Sequence, residues 1–444
     1  MTTNPSTLST FAEVDVLVIG GGPAGIGAGL AAARLGKSTL LVEQFGCLGG
    51  IATAGDHGHI STYSAWKTET RVVGGISWEV SGRVADAGFG VRSHYGSWFE
   101  IEGLKLVLEQ MAQEAGLGLL YYTQFSEALV EDGVVTGAIV QNKSGRQILR
   151  AGRVVVCTGD GDVAASAGAP FEVGRASDHK CQPMTLMFHV GGIDFGRLCA
   201  FRQGDPALVK TWAAAQAAGD MESFQSQSMG FEATPTRPGF MHCNFTHIIN
   251  LSATSAADLT AATLEGRRQA FHMIPVFRKY VPGMEDCFLV TTAAVIGTRE
   301  SRRILGDVVL TDDDMFASRE WPDSIGYGCF YIDVHNLDGP GMDQETFHPE
   351  PGFRYQVPYR VLVPREVENL LVAGRCISVT HRGLGSMRVM SQCLLTGEAA
   401  GAAAALSLEE GVPARQVSVP RLQEALRSSG GLLDEADIAA ANPA

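Results

Sequence analysis

The stretch VDVLVIGGGPAGIGAGLAAARLG, which begins at Val14, constrains the fold of this chain more than any other part of the sequence. It opens with an apolar, valine-rich run, Val14–Ile19, typical of a strand in a parallel sheet that is buried on both faces. Gly20, Gly22 and Gly25 follow at the GxGxxG spacing. The first glycine permits a tight turn, the second lets the backbone approach a pyrophosphate, and the third lets the helix pack on the strand. The stretch therefore predicts the opening strand, turn and helix of a dinucleotide-binding fold.

A second predicted strand, Thr39–Val42, ends at an acidic residue, Glu43, 18 positions after Gly25. A carboxylate at this place can accept both hydroxyls of an adenosine ribose, and it would repel the additional phosphate of NADP. Between the two strands, Ala24–Leu35 is rich in small, apolar and helix-forming residues. The order of strand, turn, helix, strand and acidic residue favours a nucleotide site, with an ordinary βαβ unit without a nucleotide as the alternative.

The length, composition and net charge of the chain exclude some classes of function. The chain has 444 residues, of which 45% are hydrophobic, so we expect a large core and two connected domains. A net charge of −14 argues against nucleic acid or an anionic membrane as a partner, although a local basic pocket could still bind an acidic small molecule. The N-terminus has no signal-peptide pattern and no run is long enough to span a membrane, so we expect a cytoplasmic protein. Homo-oligomerisation stays open.

The nine cysteines are scattered, with no CxxC or CxxxC pair. A dispersed set of this kind is typical of reduced, mostly buried thiols, whereas iron–sulfur clusters and structural zinc need clustered ligands. We therefore expect no metal site.

The rest of the chain alternates helices and strands. After Glu43, the sequence predicts two helices, Val73–Ala87 and Ile101–Ala115, and then a strand, Leu119–Thr123. Three short strands follow as a β-meander, Phe125–Glu131, Val134–Asn142 and Arg146–Ala151, and Val154–Cys157 is the next strand of the parallel sheet. The last of these strands runs into CTGDGD, whose glycines again allow a close approach to the backbone. The C-terminal part of the chain repeats the order of strand, glycine turn and helix of small residues.

From about Arg175 to Gln356 the sequence changes to mixed segments with more aromatic and histidine residues, including a long amphipathic helix, Ala256–Tyr280. The predicted fold class is therefore α/β: a Rossmann-like domain with a parallel sheet and a β-meander, plus an inserted mixed α+β substrate domain. The predicted bounds are 12–175 and 357–430 for the nucleotide domain and 176–356 for the insert.

Several motifs together carry a family resemblance: the first glycine turn with Glu43, VVVCTGDGD, and the terminal NLLVAGRC with its glycine-rich helix. They resemble FAD-dependent oxidoreductases of the glutathione-reductase-like superfamily. Within it, EQFGCLGGIATAG, QPMTLMF, IGTRESRRILGD and GRCISVTHRGLGSMRVMSQC resemble the family that includes the flavin subunit of heterodisulfide reductase, without its clustered cysteines. The resemblance implies FAD as cofactor, in the nucleotide domain.

The resemblance also implies cofactor-binding residues. The first glycine turn would bind the pyrophosphate, Glu43 the adenosine ribose, and the glycines near position 50 the ribityl chain. Where the superfamily commonly has an acidic residue after the last glycine turn, this chain has Arg375, which favours a phosphate contact. Ser386, Met387 and Arg388 would open the closing helix. The full predicted set is Gly20, Gly22, Pro23, Ala24, Gly25, Glu43, Gln44, Gly49, Gly50, Thr53, Gly159, Asp160, Gly374, Arg375, Ser386, Met387 and Arg388.

Candidates for catalysis are histidines and arginines near these turns, because histidine handles protons near neutral pH and arginine holds carboxylates. The predicted catalytic residues are His57, His59, His381, Arg382 and Arg388. The histidines could instead bond loop carbonyls or hold FAD covalently, and the arginines could contact phosphate or backbone. The predicted substrate-binding residues are Tyr63, His247 and Arg299, the last within a charge-dense segment that also fits a solvated helix face. Tyr95 and His242 are weaker candidates.

These features predict an FAD-dependent oxidoreductase, a dehydrogenase or oxidase, that transfers hydride between flavin and a small organic substrate, with an acidic substrate as one option. A redox-neutral flavin-dependent isomerase or lyase, and a flavin electron-transfer subunit, are the alternatives. The sequence contains no second clear GxGxxG with a following acidic residue, so substrate is the expected source of reducing equivalents.

Overall fold

The computed structural model describes residues 8–227 and 231–443. The first seven residues, part of the N-terminal segment considered above, lie outside it. The strands of the described residues are β1 (Thr10–Ile19), β2 (Thr39–Val42), β3 (His59–Ile60), β4 (Gly90–Ser93), β5 (Gly96–Phe99), β6 (Gly118–Leu120), β7 (Gln124–Glu131), β8 (Val134–Asn142), β9 (Gly145–Val156), β10 (Phe171–Val173), β11 (Phe188–Gly191), β12 (Phe231–Ala233), β13 (Met241–Cys243), β14 (Phe288–Thr292), β15 (Arg302–Ile304), β16 (Ser324–Gly328), β17 (Tyr355–Pro358) and β18 (Leu370–Val372).

Twelve α-helices connect and cover these strands within the described ranges. They are α1 (Pro23–Arg34), α2 (Gly75–Asp86), α3 (Ile101–Glu114), α4 (Asp162–Ser166), α5 (Phe195–Arg202), α6 (Val209–Ala217), α7 (Ala256–Tyr280), α8 (Asp312–Phe316), α9 (His381–Met387), α10 (Met390–Glu410), α11 (Val419–Ser428) and α12 (Glu435–Ala441). In the part of the chain that the structure describes, no helix is both long enough and apolar enough to cross a membrane.

The central sheet has the order β6-β2-β1-β9-β8-β7, and β18 pairs with β9 as well. Strands β6, β2, β1, β9 and β18 are parallel, while β8 and β7 return antiparallel as the meander. This arrangement confirms the predicted α/β fold class, with a parallel Rossmann-type sheet and a β-meander.

Strand β9 corrects one sequence prediction. The segments predicted as separate strands, Arg146–Ala151 and Val154–Cys157, form a single strand. Residues 145–150 pair with β8 and residues 154–156 with β18, while β1 pairs along the other edge from Ile148 to Val156. The pairing with β1 continues across the gap between β8 and β18, and it keeps the backbone extended through Gly152, where the local sequence suggests a break.

The closest helix packing in the fold joins α1 and α10, and it depends on residues without a Cβ atom. A Cβ at Gly397 would lie 2.0 Å from the Ala24 carbonyl oxygen, and one at Gly401 would lie 2.1 Å from that of Ala28. Both helices are buried along most of their length. The small residues therefore let α10 lie directly against α1, next to the glycine turn.

A second sheet, in the order β12-β13-β11-β14, packs with α7 around its own apolar cluster, which includes Phe188, Trp212 and Phe277. The predicted helix Ala256–Tyr280 is confirmed residue for residue as α7. Residues 325–363, the later part of the predicted insert and the start of the last segment, contribute side chains to the main cluster beneath the central sheet. The domain bounds remain a prediction.

Candidate functional site

A cavity of about 1180 Å³ opens where the parallel strands end. The last residues of β1 and β2 and the residues just after β9 and β18 line one side: Ile19, Val42, Cys157 and Ala373. Ligands of open α/β sheets bind at this carboxyl edge. The volume exceeds the roughly 300–1,000 Å³ of a typical single-ligand pocket, so the cavity has room for more than one small molecule.

The first glycine turn forms part of the wall, and its three glycines meet different surroundings. Gly20 has φ +104°, and a Cβ there would lie 2.4 Å from the Cys157 carbonyl oxygen. A Cβ on Gly25 would lie 1.8 Å from the carbonyl oxygen of Gly20. At Gly22, by contrast, an added Cβ would meet only the Gly50 Cα, at 4.0 Å. Gly22 therefore leaves open space in the cavity wall, as the backbone approach to a pyrophosphate requires.

Glu43 lies at the end of β2 with its carboxylate buried in the cavity wall. One carboxylate oxygen accepts a hydrogen bond from the Gly21 amide at 2.6 Å, and the other accepts one from the Phe45 amide at 2.9 Å. Burial raises the pKa of Glu43, while these amides oppose the rise. Because a carboxylate has about four acceptor positions, Glu43 can hold the turn and still accept ribose hydroxyls.

Two later segments complete this end of the cavity. Arg375 donates to Asp160 across 3.1 Å, and its guanidinium lies over Gly159, which has φ +81°. The Nη1 atom of Arg375 is buried and has no hydrogen-bond partner among the described residues. Gly374, also at positive φ, brings this turn against α1 at Ala24. A buried, unpaired guanidinium nitrogen beside an open glycine turn fits an anionic phosphate.

The closing helix begins later than predicted. Ser386 and Met387 belong to α9, and α10 starts at Met390 after its N-cap residue, Val389. The Ser386 hydroxyl donates to the Phe330 carbonyl, so it is buried in packing and does not line the cavity. The Thr380 side chain caps α9, so this short separate helix begins at His381 and precedes α10.

The other predicted cofactor residues divide in the same way. Those on the cavity wall are Pro23, Ala24, Gln44, Gly50 and Arg388. Gly25, Gly49 and Thr53 lie behind it, and Thr53 donates to the Leu48 carbonyl at 2.5 Å.

Histidines line the cavity near β3. His57 and His59 are both on the wall, with ring centroids 6.3 Å apart. The His59 ring stacks on Trp98 at 4.5 Å, and its Nδ1 lies 3.1 Å from the Glu232 carboxylate. Its Nε2 is buried without a partner among the described residues, facing the backbone of Gly96. Both His59 nitrogens are thus directed into protein.

His57 has a different environment. Within the described residues its ring makes no hydrogen bond, and the His242 ring lies edge-on at 5.8 Å. Burial, followed by the nearby His242 and His59, lowers the pKa of His57 to about 3. Burial likewise lowers the pKa of His59 to about 4, although Glu232 opposes it. His57 is therefore a neutral base facing the cavity at physiological pH.

Two arginines form the third feature of the wall. Arg299 is buried and donates to the Pro183 carbonyl at 2.7 Å, to Thr185 Oγ1 at 2.6 Å and to Asn244 Oδ1 at 3.3 Å. All three acceptors are uncharged, and no carboxylate forms an ion pair with Arg299 in the described part of the chain. Burial, then the like charge of Arg388, lowers the pKa of Arg299 to about 9.

Arg388 faces the same cavity and does have an acidic partner. Its Nη2 donates to the Asp333 carboxylate at 2.6 Å, while its Nε is buried and unpaired among the described residues. Burial opposes ionisation of Asp333, but His335, Arg388 and Arg299 hold its pKa well below the usual range. Two guanidinium groups and one carboxylate therefore leave a net positive charge at this place.

Four of the residues predicted for catalysis or substrate binding lie outside the cavity lining. His381 bonds Glu300 at 2.8 Å, and Arg382 bonds Asp312 at 3.1 Å. The Tyr63 hydroxyl bonds Ser81 within the core. His247 bonds the Asn336 carbonyl at 3.1 Å. Each of these side chains thus has a protein partner, although His381 Nε2 and His247 Nδ1 are buried without a hydrogen bond among the described residues.

The interpretation of the RESRR segment as a solvated helix face is wrong. Arg299, Glu300 and Arg303 are buried, and Arg302 opens strand β15. Glu300 accepts hydrogen bonds from His381 and from the Gln182 amide. Glu300 pairs with Arg303 three residues away, but Glu300 also bonds His381, and Arg302 pairs with Asp162. Local spacing cannot reveal these last two contacts, because they join distant parts of the chain.

Sequence reasoning also missed Glu232, Asp333 and Asn244. Each acts on a cavity residue from a distant part of the chain, such as Asp333 on Arg388 and Asn244 on Arg299. Glu232 lies opposite His242 through the pairing of β12 with β13, a register that the structure shows and no motif in the sequence marks.

Together, the parallel sheet, the glycine turn and the terminal acidic residue define a dinucleotide-binding protein of the Rossmann type. A family model described as FAD dependent oxidoreductase matches residues 15–426, and the chain belongs to this family of FAD-dependent oxidoreductase enzymes.

Comparisons with solved structures return similar folds at low identity. A geranylgeranyl bacteriochlorophyll reductase-like protein from Thermoplasma acidophilum is 12% identical with a TM-score of 0.46, covering 94% of this chain and 83% of its own. The p-nitrophenol 4-monooxygenase of Pseudomonas putida is 12% identical with a TM-score of 0.47, covering 93% of this chain and 84% of its own. No curated protein sequence matches this chain.

FAD is the cofactor of this family, and the site accommodates it. The open space at Gly22, the unpaired Arg375 nitrogen and the spare acceptor positions of Glu43 suit a pyrophosphate followed by an adenosine ribose.

Proposed function

We propose that this enzyme transfers a hydride between FAD and a small organic acid whose carboxylate binds between Arg299 and Arg388. One observation carries the proposal: Arg299 is a buried guanidinium on the cavity wall whose hydrogen bonds all go to uncharged oxygens. We also propose, from motif resemblance alone, that the family lies in the glutathione-reductase-like superfamily near the heterodisulfide reductase flavin subunit.

Electrostatics support an acidic ligand. A buried charge is costly unless it is paired, and the Asp333 carboxylate offsets only one of the two guanidinium groups. A substrate carboxylate would neutralise the excess charge. Arginine also binds carboxylates through two parallel N–H donors, which fixes the orientation of the acid.

His57 would accept the proton that leaves the substrate. The ring is neutral because burial lowers its pKa to about 3, and no hydrogen bond occupies its nitrogens within the described residues. A neutral imidazole on the cavity wall can accept a hydrogen bond from a substrate hydroxyl or amine, and it can take that proton as the hydride leaves, because loss of the hydride makes the proton strongly acidic. His59 and Glu232 would position this wall rather than react, because the Nδ1 of His59 faces Glu232. FAD, when bound, accepts or returns the hydride.

The test uses FAD-loaded enzyme under anaerobic conditions with a panel of small hydroxy and amino acids, each beside its amide. We expect at least one acid to decrease the visible flavin absorbance while its amide does not. Arg299→Met should weaken the apparent affinity for that acid by roughly 10- to 100-fold, since it removes charge-assisted hydrogen bonds of about 1.5–3 kcal/mol.

Arg197→Met serves as the matched control, because Arg197 is exposed and pairs with Glu285 on the surface. Equal reduction by acids and amides would refute the carboxylate site. If an acid binds and turns over without any flavin reduction, the enzyme performs redox-neutral chemistry instead.

A further inference from the structure

The wall that holds Arg299 continues as a set of apolar side chains. Met187, Ala253, Leu259 and Ile296 all line the cavity. They belong to one apolar cluster that is separate from the clusters beneath the central sheet and beside α7. None is part of the glycine turns or acidic residues that suit a dinucleotide, so another ligand has to account for this surface.

Backbone pairing fixes this apolar surface beside the guanidinium. Thr185 and Gly297 exchange hydrogen bonds between their amides and carbonyls at 2.7 and 2.9 Å, and Thr185 Oγ1 accepts from Arg299. Leu186 is fully buried, while Thr185 and Met187 on either side of it both reach the cavity. Alternate residues of an extended segment share a face and lie roughly 7 Å apart. Met187 therefore lies roughly 7 Å along the wall from the Thr185 contact of Arg299.

One polar side chain of α7, Thr263, also lines this apolar part of the cavity, but its hydroxyl is not available to a ligand. This hydroxyl donates to the Leu259 carbonyl at 2.8 Å. The hydroxyl of Thr263 therefore already has its hydrogen bond within the helix. Leu259 is half-buried, so this surface leads from Arg299 towards solvent.

We propose that the substrate is an amphipathic carboxylic acid, with an aliphatic or aromatic portion that packs on Met187, Leu259 and Ile296. This inference rests on the proposed function, because it takes Arg299 as the carboxylate anchor. The apolar portion begins within roughly 7 Å of the carboxylate and extends towards Leu259. Short polar acids fit the guanidinium but leave the apolar wall uncovered.

The test is a calorimetric titration of the FAD-loaded enzyme with straight-chain carboxylates of increasing length and with the matching straight-chain primary amides. Affinity for the acids should rise about fourfold for each methylene that reaches the wall. Met187→Ala and Leu259→Ala should each lower the affinity for the longer acids about tenfold and leave the shortest acids unchanged. Leu264→Ala, on the exposed face of the same helix, should change nothing.

Flavin content and thermal unfolding of each variant separate a lost contact from a folding defect, and Leu259 provides a half-buried alternative if Met187→Ala is unstable. Chain-length independence in both ligand series would overturn the inference, while preference for acids over amides would still support the carboxylate site. A chain-length trend without any preference for acids would support the apolar subsite and refute the proposed function.

Discussion

At the scale of single residues, two glycines of the first turn have different roles: Gly22 leaves space for the cofactor, and Gly25 is needed for the fold itself. Gly22 has φ −70° and open space before it, so alanine is compatible with the backbone and with the protein around it. Gly25 lies against the Gly20 carbonyl, where a methyl group has no room. The two neighbouring glycines therefore allow cofactor binding and apoprotein stability to be perturbed independently.

Gly22→Ala should weaken FAD binding by roughly 5- to 150-fold, the equivalent of about 1–3 kcal/mol of steric conflict, while the unfolding free energy of the apoprotein changes by less than about 0.5 kcal/mol. Gly25→Ala should destabilise the apoprotein itself by about 1–3 kcal/mol or more. FAD titration and denaturant unfolding of the apoprotein measure the two effects. Gly204→Ala, whose Cβ would have no neighbour nearer than 3.7 Å, is the control. Normal FAD binding by Gly22→Ala would place the pyrophosphate elsewhere.

His57 offers a second prediction at this scale. His57→Asn should retain FAD but slow flavin reduction by about a hundredfold, the usual share of general acid–base catalysis. Because the pKa of His57 is lowered to about 3, its base form persists from pH 8 down to pH 5, and this residue should contribute no inflection near pH 6.5. Stopped-flow reduction across this pH range measures both effects. The exposed His94→Asn is the control, and a parent-like rate for His57→Asn would exclude it as the base.

At the scale of elements, α10 joins the nucleotide fold to the helices around it. Its small residues pack on α1, and Glu398 reaches from it to the start of α2, where it accepts a hydrogen bond from the Ile76 amide at 2.8 Å. The Ser429 hydroxyl, just after α11, donates to the same carboxyl group. Burial raises the pKa of Glu398 to about 7, although both hydrogen bonds oppose the shift.

The raised pKa makes stability fall as pH rises. Between about pH 4.5 and pH 7 the carboxyl ionises in the unfolded chain but stays protonated in the folded one, so the loss accumulates to about 3 kcal/mol and is complete above pH 7. Glu398→Gln mimics the protonated group, and it should raise the unfolding free energy by about 3 kcal/mol at pH 8 but by less than about 1 kcal/mol at pH 5. Denaturant unfolding at both pH values measures this. The exposed Glu424→Gln should show no such divergence, and an equal effect at both pH values would contradict the shift.

Element prediction from sequence succeeded where one periodic pattern matched one environment. The helix Ala256–Tyr280 has a continuous amphipathic pattern and appears with those bounds, with Pro275 inside it. The sequence prediction divided strand β9 because Gly152 interrupts its pattern, whereas pairing with β1 across this position keeps the strand continuous. The sequence prediction placed the start of the closing helix too early, at Ser386, because that residue belongs to the short separate helix α9. Thr380 caps α9 through a turn that hydrophobic spacing does not encode.

At the scale of the whole molecule, the cavity is assembled from segments spread along nearly all of the sequence. The sequence predicted the residues whose chemistry is local, such as Gly22 and Glu43, because the motif itself contains the reason for them. It could not predict that Asp333 would hold Arg388 or that Asn244 would hold Arg299, since these contacts join residues about 55 positions apart. The contacts of Glu300 with His381 and of Arg302 with Asp162 also join distant parts of the chain, and the sequence could not predict them either.

The position of β18 at the edge of β9 has a consequence for how the protein is made. Roughly 350 residues separate the first glycine turn from Gly374, and a ribosome adds about 5–20 residues per second. About 20–70 s therefore pass between synthesis of the first glycine turn and synthesis of the segment around Gly374 that completes the cavity wall. During that interval the end of β9 has an unpaired edge and α1 lacks the helix that covers it. Such nascent chains need protection from premature association, and the cofactor can be enclosed only after the segment around Gly374 has been made.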